Sequence, residues 1–257
     1  MAAQLKAGDG RVLYLYGVTL SRPSNVAKQL GVDGRAKIEA IECDGIVCWM
    51  SWVPAADFED NLARNMENLD WLAEASVAHQ RAISAIARET EILPARFGTV
   101  FRTEASLHKH VRSRVRDLKQ DFERVKGADE WGVKVFAIRP EIRVRPDVRT
   151  GKDYLKAKAA LLPKRRLQSE TVSELAGFEQ ALRLVAAETA PVGNISSGQR
   201  GLTFQTSLLV KRADRKKLES ILKKFSERWA ETRRIECTGP WPPYSFVSRP
   251  AAEERTK

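Results

Sequence analysis

The chain has 257 residues, enough for one large domain or two ordinary ones, and 43% hydrophobic with 30% charged residues is typical of a soluble globular protein. No run approaches the roughly 18 apolar residues of a membrane span, so none is expected. The net charge of +11 favours binding of an anionic partner. A basic surface that is simply solvated explains the charge equally well. The three cysteines include no C-x-x-C pair, so no zinc site is expected. Their odd number and an N-terminus without an apolar signal core predict a cytoplasmic location.

Strand and helix patterns alternate in the first hundred residues. The predicted order is strand, helix, strand, strand, helix, strand, over 12–18, 24–30, 37–43, 46–53, 58–86 and 92–101. Asp44 and Gly45 separate two apolar runs, which is typical of a two-residue hairpin turn. Apolar residues recur every three or four positions in the long helix, and Asn68 is where a local break would fall. This is the βαββαβ order of a ferredoxin-like unit, with an unusually short first helix.

The segment 104–126 predicts a second long helix with an apolar stripe and basic flanks. Gly127 is well placed to end it. We expect this helix to bridge two domains, and its apolar stripe to pack on both. Binding to a membrane interface is the alternative for such a helix.

The same order of elements is predicted again after residue 131. The elements are a strand 132–138, a helix 153–189 that kinks or splits at Pro163, a short strand 191–195, a turn 196–201, a strand 202–211, a helix 214–229 and a strand 232–237. The predicted fold class is therefore α+β, with two βαββαβ domains, ferredoxin-like or a variant of it. The predicted boundaries are 1–102 for the N-terminal domain, 103–130 for the bridging helix, 131–248 for the C-terminal domain and 249–257 for a disordered tail.

A proline-aromatic segment, TGPWPPYSF at 238–246, follows the last predicted strand and is called the strap below. Proline fixes its own φ and restricts the preceding residue to extended conformations, so the strap is expected to be stiff and non-helical. Such a segment either seals the edge of the second domain or docks a partner.

No motif predicts catalysis or a metal site, and the chain is expected not to be an enzyme. His79 falls on the apolar stripe of its helix, where a histidine is usually a core residue. His108 and His110 are two apart and diverge on a helix, which disfavours a metal site. Basic charge with a ferredoxin-like order leaves a nucleic-acid-binding module as the alternative function. The base-reading aromatic strand of RNA-recognition modules is absent, and Arg96-Phe97-Gly98 matches only a fragment of it, which disfavours that alternative.

Four motifs together resemble the GvpL/GvpF family of gas vesicle proteins. They are YLYGV at 14–18, ILPARFGTVF at 92–101, GKDYL at 151–155 and the strap. The resemblance spans about 11–248. It implies two α+β domains, the second ferredoxin-like, and no cofactor, catalytic residue or metal site. It also implies a non-enzymatic accessory or minor structural protein, located at gas vesicles in the cytoplasm, that contributes to buoyancy. Its expected partners are the hydrophobic gas vesicle shell protein and other accessory proteins.

Eight residues of two motifs are candidates either for binding a partner or for locking the domains: Arg96, Phe97, Gly98, Thr99, Trp241, Pro242, Pro243 and Tyr244. Arg96 can pair with a carboxylate while its stem packs on an aromatic ring, and Gly98 permits close backbone approach. A rigid strap offers contact area at little entropic cost. The sequence leaves open whether these residues form a contact site or an internal lock.

Overall fold

The computed structural model describes residues 10–24, 26, 29–138, 165–191 and 200–248, with side chains of the 165–191 segment from residue 173 onward. The chain divides into two compact units, named here unit 1 (residues 1–130 and 240–257) and unit 2 (residues 131–239). Several predictions made above lie outside the described residues: the 151–155 motif, the break at Pro163, most of the strand at 191–195 and of the turn at 196–201, and the tail.

Unit 1 contains an antiparallel sheet. Its strands are β1 (Arg11–Thr19), β2 (Glu39–Cys43), β3 (Ile46–Pro54), β4 (Ile92–Pro94) and β5 (Val100–Phe101). The order is β2-β3-β1-β4, and β5 also pairs with β1. The predicted hairpin is confirmed, because Asp44 and Gly45 have φ of 52° and 77° and Cys43 pairs with Ile46. β1 therefore lies between β3 and β4, the strand arrangement of a ferredoxin-like sheet.

The first predicted helix is 3-10 rather than α-helical at its described residues Ser24 and Val26, and it does not extend to Leu30. Leu30, which was expected to end a helix begun at Ser24, forms an isolated antiparallel bridge with Lys37. The described residues of the β1–β2 connection therefore include no regular α-helix. Unit 1 is a variant of the ferredoxin-like arrangement in this respect.

The long helix after β3 is divided as expected. It consists of a π-helical turn (Ala56–Asp60), α1 (Leu62–Glu67) and α2 (Leu69–Ala87). The break at Asn68 is confirmed, since its side chain caps α2 by accepting hydrogen bonds from the Asp70 and Trp71 N–H groups at 3.1 and 3.2 Å. The break also changes the phase of the apolar stripe. Met66 and Leu69 were expected to point inward, but they are exposed.

The predicted helix 104–126 is two helices, α3 (Glu104–Arg112) and α4 (Val115–Val125). The Ser113 hydroxyl donates to the His110 carbonyl, a local bond that competes with helix continuation. Arg114 then leaves helical geometry, with φ −121° and ψ 3°. Both helices lie within unit 1, whereas the sequence prediction made this segment a bridge between domains.

Unit 2 repeats the connectivity of unit 1. Its elements are β6 (Ala128–Ala137), α5 (Arg165–Val185), β7 (Glu188–Ala190), β8 (Leu202–Lys211), a 3-10 turn (Arg212–Asp214), α6 (Arg215–Arg228) and β9 (Arg233–Trp241). The sheet order is β7-β8-β6-β9, so the first strand again lies between the third and fourth. The predicted α+β class with two similar units is confirmed.

Three predicted boundaries in unit 2 are wrong. β6 begins at Ala128, four residues before its predicted start. The helix ends at Val185, and Thr189 is a strand residue paired with Leu208, because a β-branched side chain fits a pleated sheet. β9 extends beyond its predicted end at Cys237 and runs through Trp241. It is an edge strand, where a proline can replace an amide donor without breaking a ladder.

Candidate functional site

A β-turn over Arg96–Thr99 interrupts the edge strand between β4 and β5. The N–H and the hydroxyl of Thr99 both bond to the Arg96 carbonyl, at 3.2 and 2.8 Å. Gly98 has φ +80°, the left-handed conformation required at the third position of a type II turn. A Cβ atom added to Gly98 would lie 3.1 Å from a methyl group of Leu62. Gly98 and Thr99 therefore determine the backbone conformation of this turn.

Phe97 anchors the turn to an aromatic cluster in the core of unit 1. Its ring centroid lies 5.6 Å from that of His79 and 6.2 Å from those of Tyr14 and Trp71, all with edge-to-face geometry. Edge-to-face pairs of this kind are favourable beyond the area they bury. Phe97 therefore stabilises unit 1 from inside, while Arg96 in the same turn is exposed.

Tyr14 connects the turn to the buried histidine. The Gly98 N–H donates to the Tyr14 hydroxyl at 3.1 Å, and that hydroxyl lies 3.0 Å from Nδ1 of His79. Having accepted from Gly98, the hydroxyl can donate its own proton to Nδ1. Burial lowers the pKa of His79 to about 4, against a smaller opposing effect of the Ala95 backbone. The expected core role of His79 is confirmed, and the sequence did not reveal that this histidine supports the turn.

The first four residues of the strap are the last residues of β9, and its last three form a 3-10 turn over Tyr244–Phe246. Trp241 is 41% exposed, whereas Pro243 and Phe246 are buried. The prediction of a wholly non-helical strap is wrong for these three residues. A single 3-10 turn needs only the bond from the Phe246 N–H to the Pro243 carbonyl, at 3.1 Å, and proline is tolerated where a helix begins.

Two buried carboxylates hold the end of the strap and the segment that follows it. Glu130 accepts from the N–H and hydroxyl of Ser245 at 2.8 and 2.6 Å. Asp121 accepts from the N–H and hydroxyl of Ser248, both at 2.7 Å, and from Arg124 at 2.6 Å. Only 7% of Glu130 and 2% of Asp121 are exposed. Hydrogen bonds to ionised acceptors are the stronger kind, so these contacts fix the strap in register.

Tyr244 packs the strap against unit 1. Its hydroxyl donates to Oε1 of Gln80 at 2.8 Å, and its ring lies against the unit 1 core. Burial, followed by the nearby negative charge of Glu130, raises the pKa of Tyr244. The sequence prediction grouped the strap with the C-terminal domain, whereas residues 240–248 belong to unit 1.

The turn and the strap line one cavity of about 110 Å³ in unit 1. Arg96 and Thr99 reach it from the turn and Tyr244 from the strap, over a largely apolar floor. Its cationic side is formed by Arg96 and Arg114, with His110 beside them. Arg114 donates to the Ser248 carbonyl and lies 3.3 Å from Nε2 of His110. The cavity can therefore receive an apolar group that ends in a carboxylate.

Three of the eight candidate residues thus meet at this cavity, namely Arg96, Thr99 and Tyr244. The other five do not line it. Five residues of this site were not predicted from the sequence to belong to it: Asp121, Glu130, His110, Arg114 and Ser248. One signal was available for Asp121: it lies three residues after Leu118 and four before Val125, which places a carboxylate on the apolar face of α4.

Two further observations concern only the described residues. In the part of the chain described by the structure, no group of three or more histidine, cysteine or acidic side chains is arranged to hold a metal ion. Among the helices of the same residues, none combines the length and apolarity needed to cross a membrane.

Comparison with known proteins gives consistent matches along the chain. The family model of the gas vesicle synthesis protein GvpL/GvpF matches residues 12–248. Gas vesicle protein L of Streptomyces sp. (strain CB03234) is 30% identical, over 92% of this chain and 93% of that protein. The crystal structure of gas vesicle protein GvpF from Anabaena sp. PCC7120 covers 93% of this chain and 97% of that one, with a TM-score of 0.71 and 16% identity. GvpF from Microcystis aeruginosa covers 93% and 99%, with a TM-score of 0.67 and 18% identity. The two GvpF structures share this fold.

Proposed function

Because the chain belongs to the GvpL/GvpF family of gas vesicle proteins, we propose that it is an accessory or minor structural protein of gas vesicle assembly. It contacts the gas vesicle shell protein and other accessory proteins, and it catalyses no reaction. One observation carries this proposal. Three of the four motifs that mark the family resemblance, at 14–18, 92–101 and 238–246, line the same cavity of unit 1, which has cationic side chains above an apolar floor.

The eight candidate residues then divide into two groups. Arg96 and Trp241 are exposed and supply contacts to a partner. The remaining six form the lock that positions them: Phe97, Gly98, Thr99, Pro242, Pro243 and Tyr244. An arginine suits a carboxylate on the partner, and a partly exposed tryptophan is a frequent anchor of protein interfaces.

Complementation of a strain that lacks this gene tests the proposal. We expect Arg96→Ala and Trp241→Ala to reduce the number of gas vesicles while leaving the melting temperature unchanged. Arg88→Ala and Leu184→Ala are matched controls, because both side chains are exposed and neither belongs to the eight candidate residues. Normal vesicles with both Arg96→Ala and Trp241→Ala would show that neither residue is an essential contact.

A binding assay separates the proposal from the nucleic-acid alternative. The tagged full-length chain is mixed with purified shell protein and with each purified accessory protein, with and without nuclease. Retention of a gas vesicle protein after nuclease treatment is the expected result. Loss of all binding after nuclease treatment would contradict the proposal and favour a nucleic-acid-binding module.

A further inference from the structure

The helix pair α1–α2 presents large apolar side chains to solvent. Leu69 is 78% exposed, Val77 is 57% exposed and Met66 is 45% exposed. Isolated exposed apolar residues are ordinary on a protein surface, but a contiguous apolar patch marks a contact site. The arrangement of these three residues therefore decides whether they form a site.

Two of them, Leu69 and Val77, form a stripe along one side of α2. On α2, Leu69, Ala73 and Val77 follow at intervals of four and are all exposed, so they lie on one face. Met66 precedes them at the end of α1. The opposite face of α2 packs into the core of unit 1. The stripe thus faces outward, and among the described residues it lies outside the core cluster of unit 1.

Acidic side chains lie along one edge of the stripe, although the chain as a whole is strongly basic. Residues 56–74 contain six acidic side chains and one basic side chain, in a chain with a net charge of +11. Five of the six acidic residues are exposed: Asp57, Asp60, Glu67, Asp70 and Glu74. Asp70 and Glu74 each follow a stripe residue by one position, which places both carboxylates along the same edge of the stripe. The surface therefore combines an apolar centre with an anionic edge.

We propose that this surface, the α1–α2 face, docks a basic amphipathic helix of another gas vesicle protein. The apolar side of that helix covers the stripe from Leu69 to Val77, and its lysine or arginine side chains meet Asp70 and Glu74. Charge complementarity selects this occupant, because an acidic or neutral helix would leave the carboxylates unpaired against an apolar contact. The inference rests on the proposed function, since it names the partner of the same assembly role and adds a second contact surface.

A second copy of this chain fits less well. Its basic helix α6 carries exposed lysines, but it turns Leu218 and Phe225 toward the core of unit 2. A second copy would thus offer this helix without an apolar face to cover the stripe.

Binding of purified gas vesicle proteins to full-length variants tests the apolar part. We expect Leu69→Ser/Val77→Ser to weaken binding of one gas vesicle protein by about tenfold or more, the effect of losing a central apolar contact. Leu184→Ser is the matched control, because Leu184 is 84% exposed on α5 of unit 2. Both replacements affect exposed side chains, so circular dichroism and melting temperature are expected to match the wild type.

A charge reversal tests the anionic edge independently. Asp70→Lys/Glu74→Lys should weaken the same interaction, and raising the salt concentration should weaken wild-type binding more than binding by this variant. Glu219→Lys/Glu227→Lys on α6 makes the same change of net charge at exposed positions and serves as the control. An equal loss of binding affinity in the α2 variant and in the α6 control would show a general effect of net charge and would overturn the proposal.

A photo-crosslinking residue at Ala73 identifies the occupant. Crosslinks to a segment of another gas vesicle protein with an apolar stripe and flanking lysine or arginine are the expected result. Crosslinks within the same chain, to a second copy or to an acidic segment would overturn the proposal. Binding by the wild type with no loss in either variant would overturn this inference alone, whereas no binding of any gas vesicle protein would overturn the proposed function as well.

Discussion

Asp121 places a charge within the apolar face of α4, and its three hydrogen bonds explain why this arrangement is stable. The carboxylate satisfies the N–H and hydroxyl of Ser248 together with Arg124, and it is almost completely buried. Asp121→Ala leaves the Ser248 groups without their acceptor. We expect it to lower the free energy of unfolding by about 2–3 kcal/mol, measured by urea denaturation. Asp117→Ala on the exposed side of α4 should change it by less than about 0.5 kcal/mol.

His79 makes the stability of unit 1 depend on pH. The unfolded chain binds a proton on this histidine below its ordinary pKa of about 6.5, whereas burial lowers the folded pKa to about 4. The stabilisation is therefore complete above about pH 6.5 and is lost as the pH falls towards 4. The loss at pH 4 is on the order of 3 kcal/mol. Urea denaturation of wild type and His79→Gln at several pH values isolates this contribution, and equal slopes between pH 6.5 and 4 would contradict it.

At the scale of elements, local signals in the sequence predicted local structure well. The Asp44-Gly45 turn needs only two residues with positive φ, and the Asn68 cap needs only its own side chain and the next N–H groups. At the break after α3, the bond from Ser113 to the His110 carbonyl is local, but the contact of the Arg114 side chain with the Ser248 carbonyl, 134 residues away, could not be predicted from the sequence. The helical turn in the strap was missed for a similar reason, since the Glu130 carboxylate of another element holds it through Ser245.

The Arg96–Thr99 turn gives a prediction at this scale. Gly98→Ala places an L side chain at φ +80° and brings its Cβ within 3.1 Å of Leu62. We expect a loss of stability of about 1–2 kcal/mol from the conformation, plus a further loss from the displaced leucine. Gly127→Ala is the matched control, because Gly127 has φ +65° with open space around its Cβ position. Equal melting temperatures for the two variants would show that the contact with Leu62 contributes nothing.

At the scale of the whole molecule, the sequence predicted the repeated order of elements, and both sheets share one strand order. It did not predict that unit 1 is discontinuous in sequence. Periodicity reports which face of an element is buried, but it does not report against which unit a segment packs. The strap begins within β9, a strand of the unit 2 sheet, so its position in the chain indicated unit 2. The contacts of Tyr244 and Ser245, and of Ser248 just after the strap, are made with unit 1, to which residues 240–248 belong.

A discontinuous unit 1 predicts a specific effect of truncation. A chain ending at Gly239 lacks the strap, so Asp121 and Glu130 lose their serine partners and the burial of Phe246 is lost. We expect unit 1 to lose about 3 kcal/mol or more of stability. Hydrogen exchange measures this loss locally: amides of β1 and α2 should exchange faster, while those of α5 and β8 change less. A chain ending at Ser248 removes only the tail and should exchange like the wild type. Unchanged protection of β1 and α2 in the shorter chain would show that the strap does not stabilise unit 1, and its residues would then be left with a contact role alone.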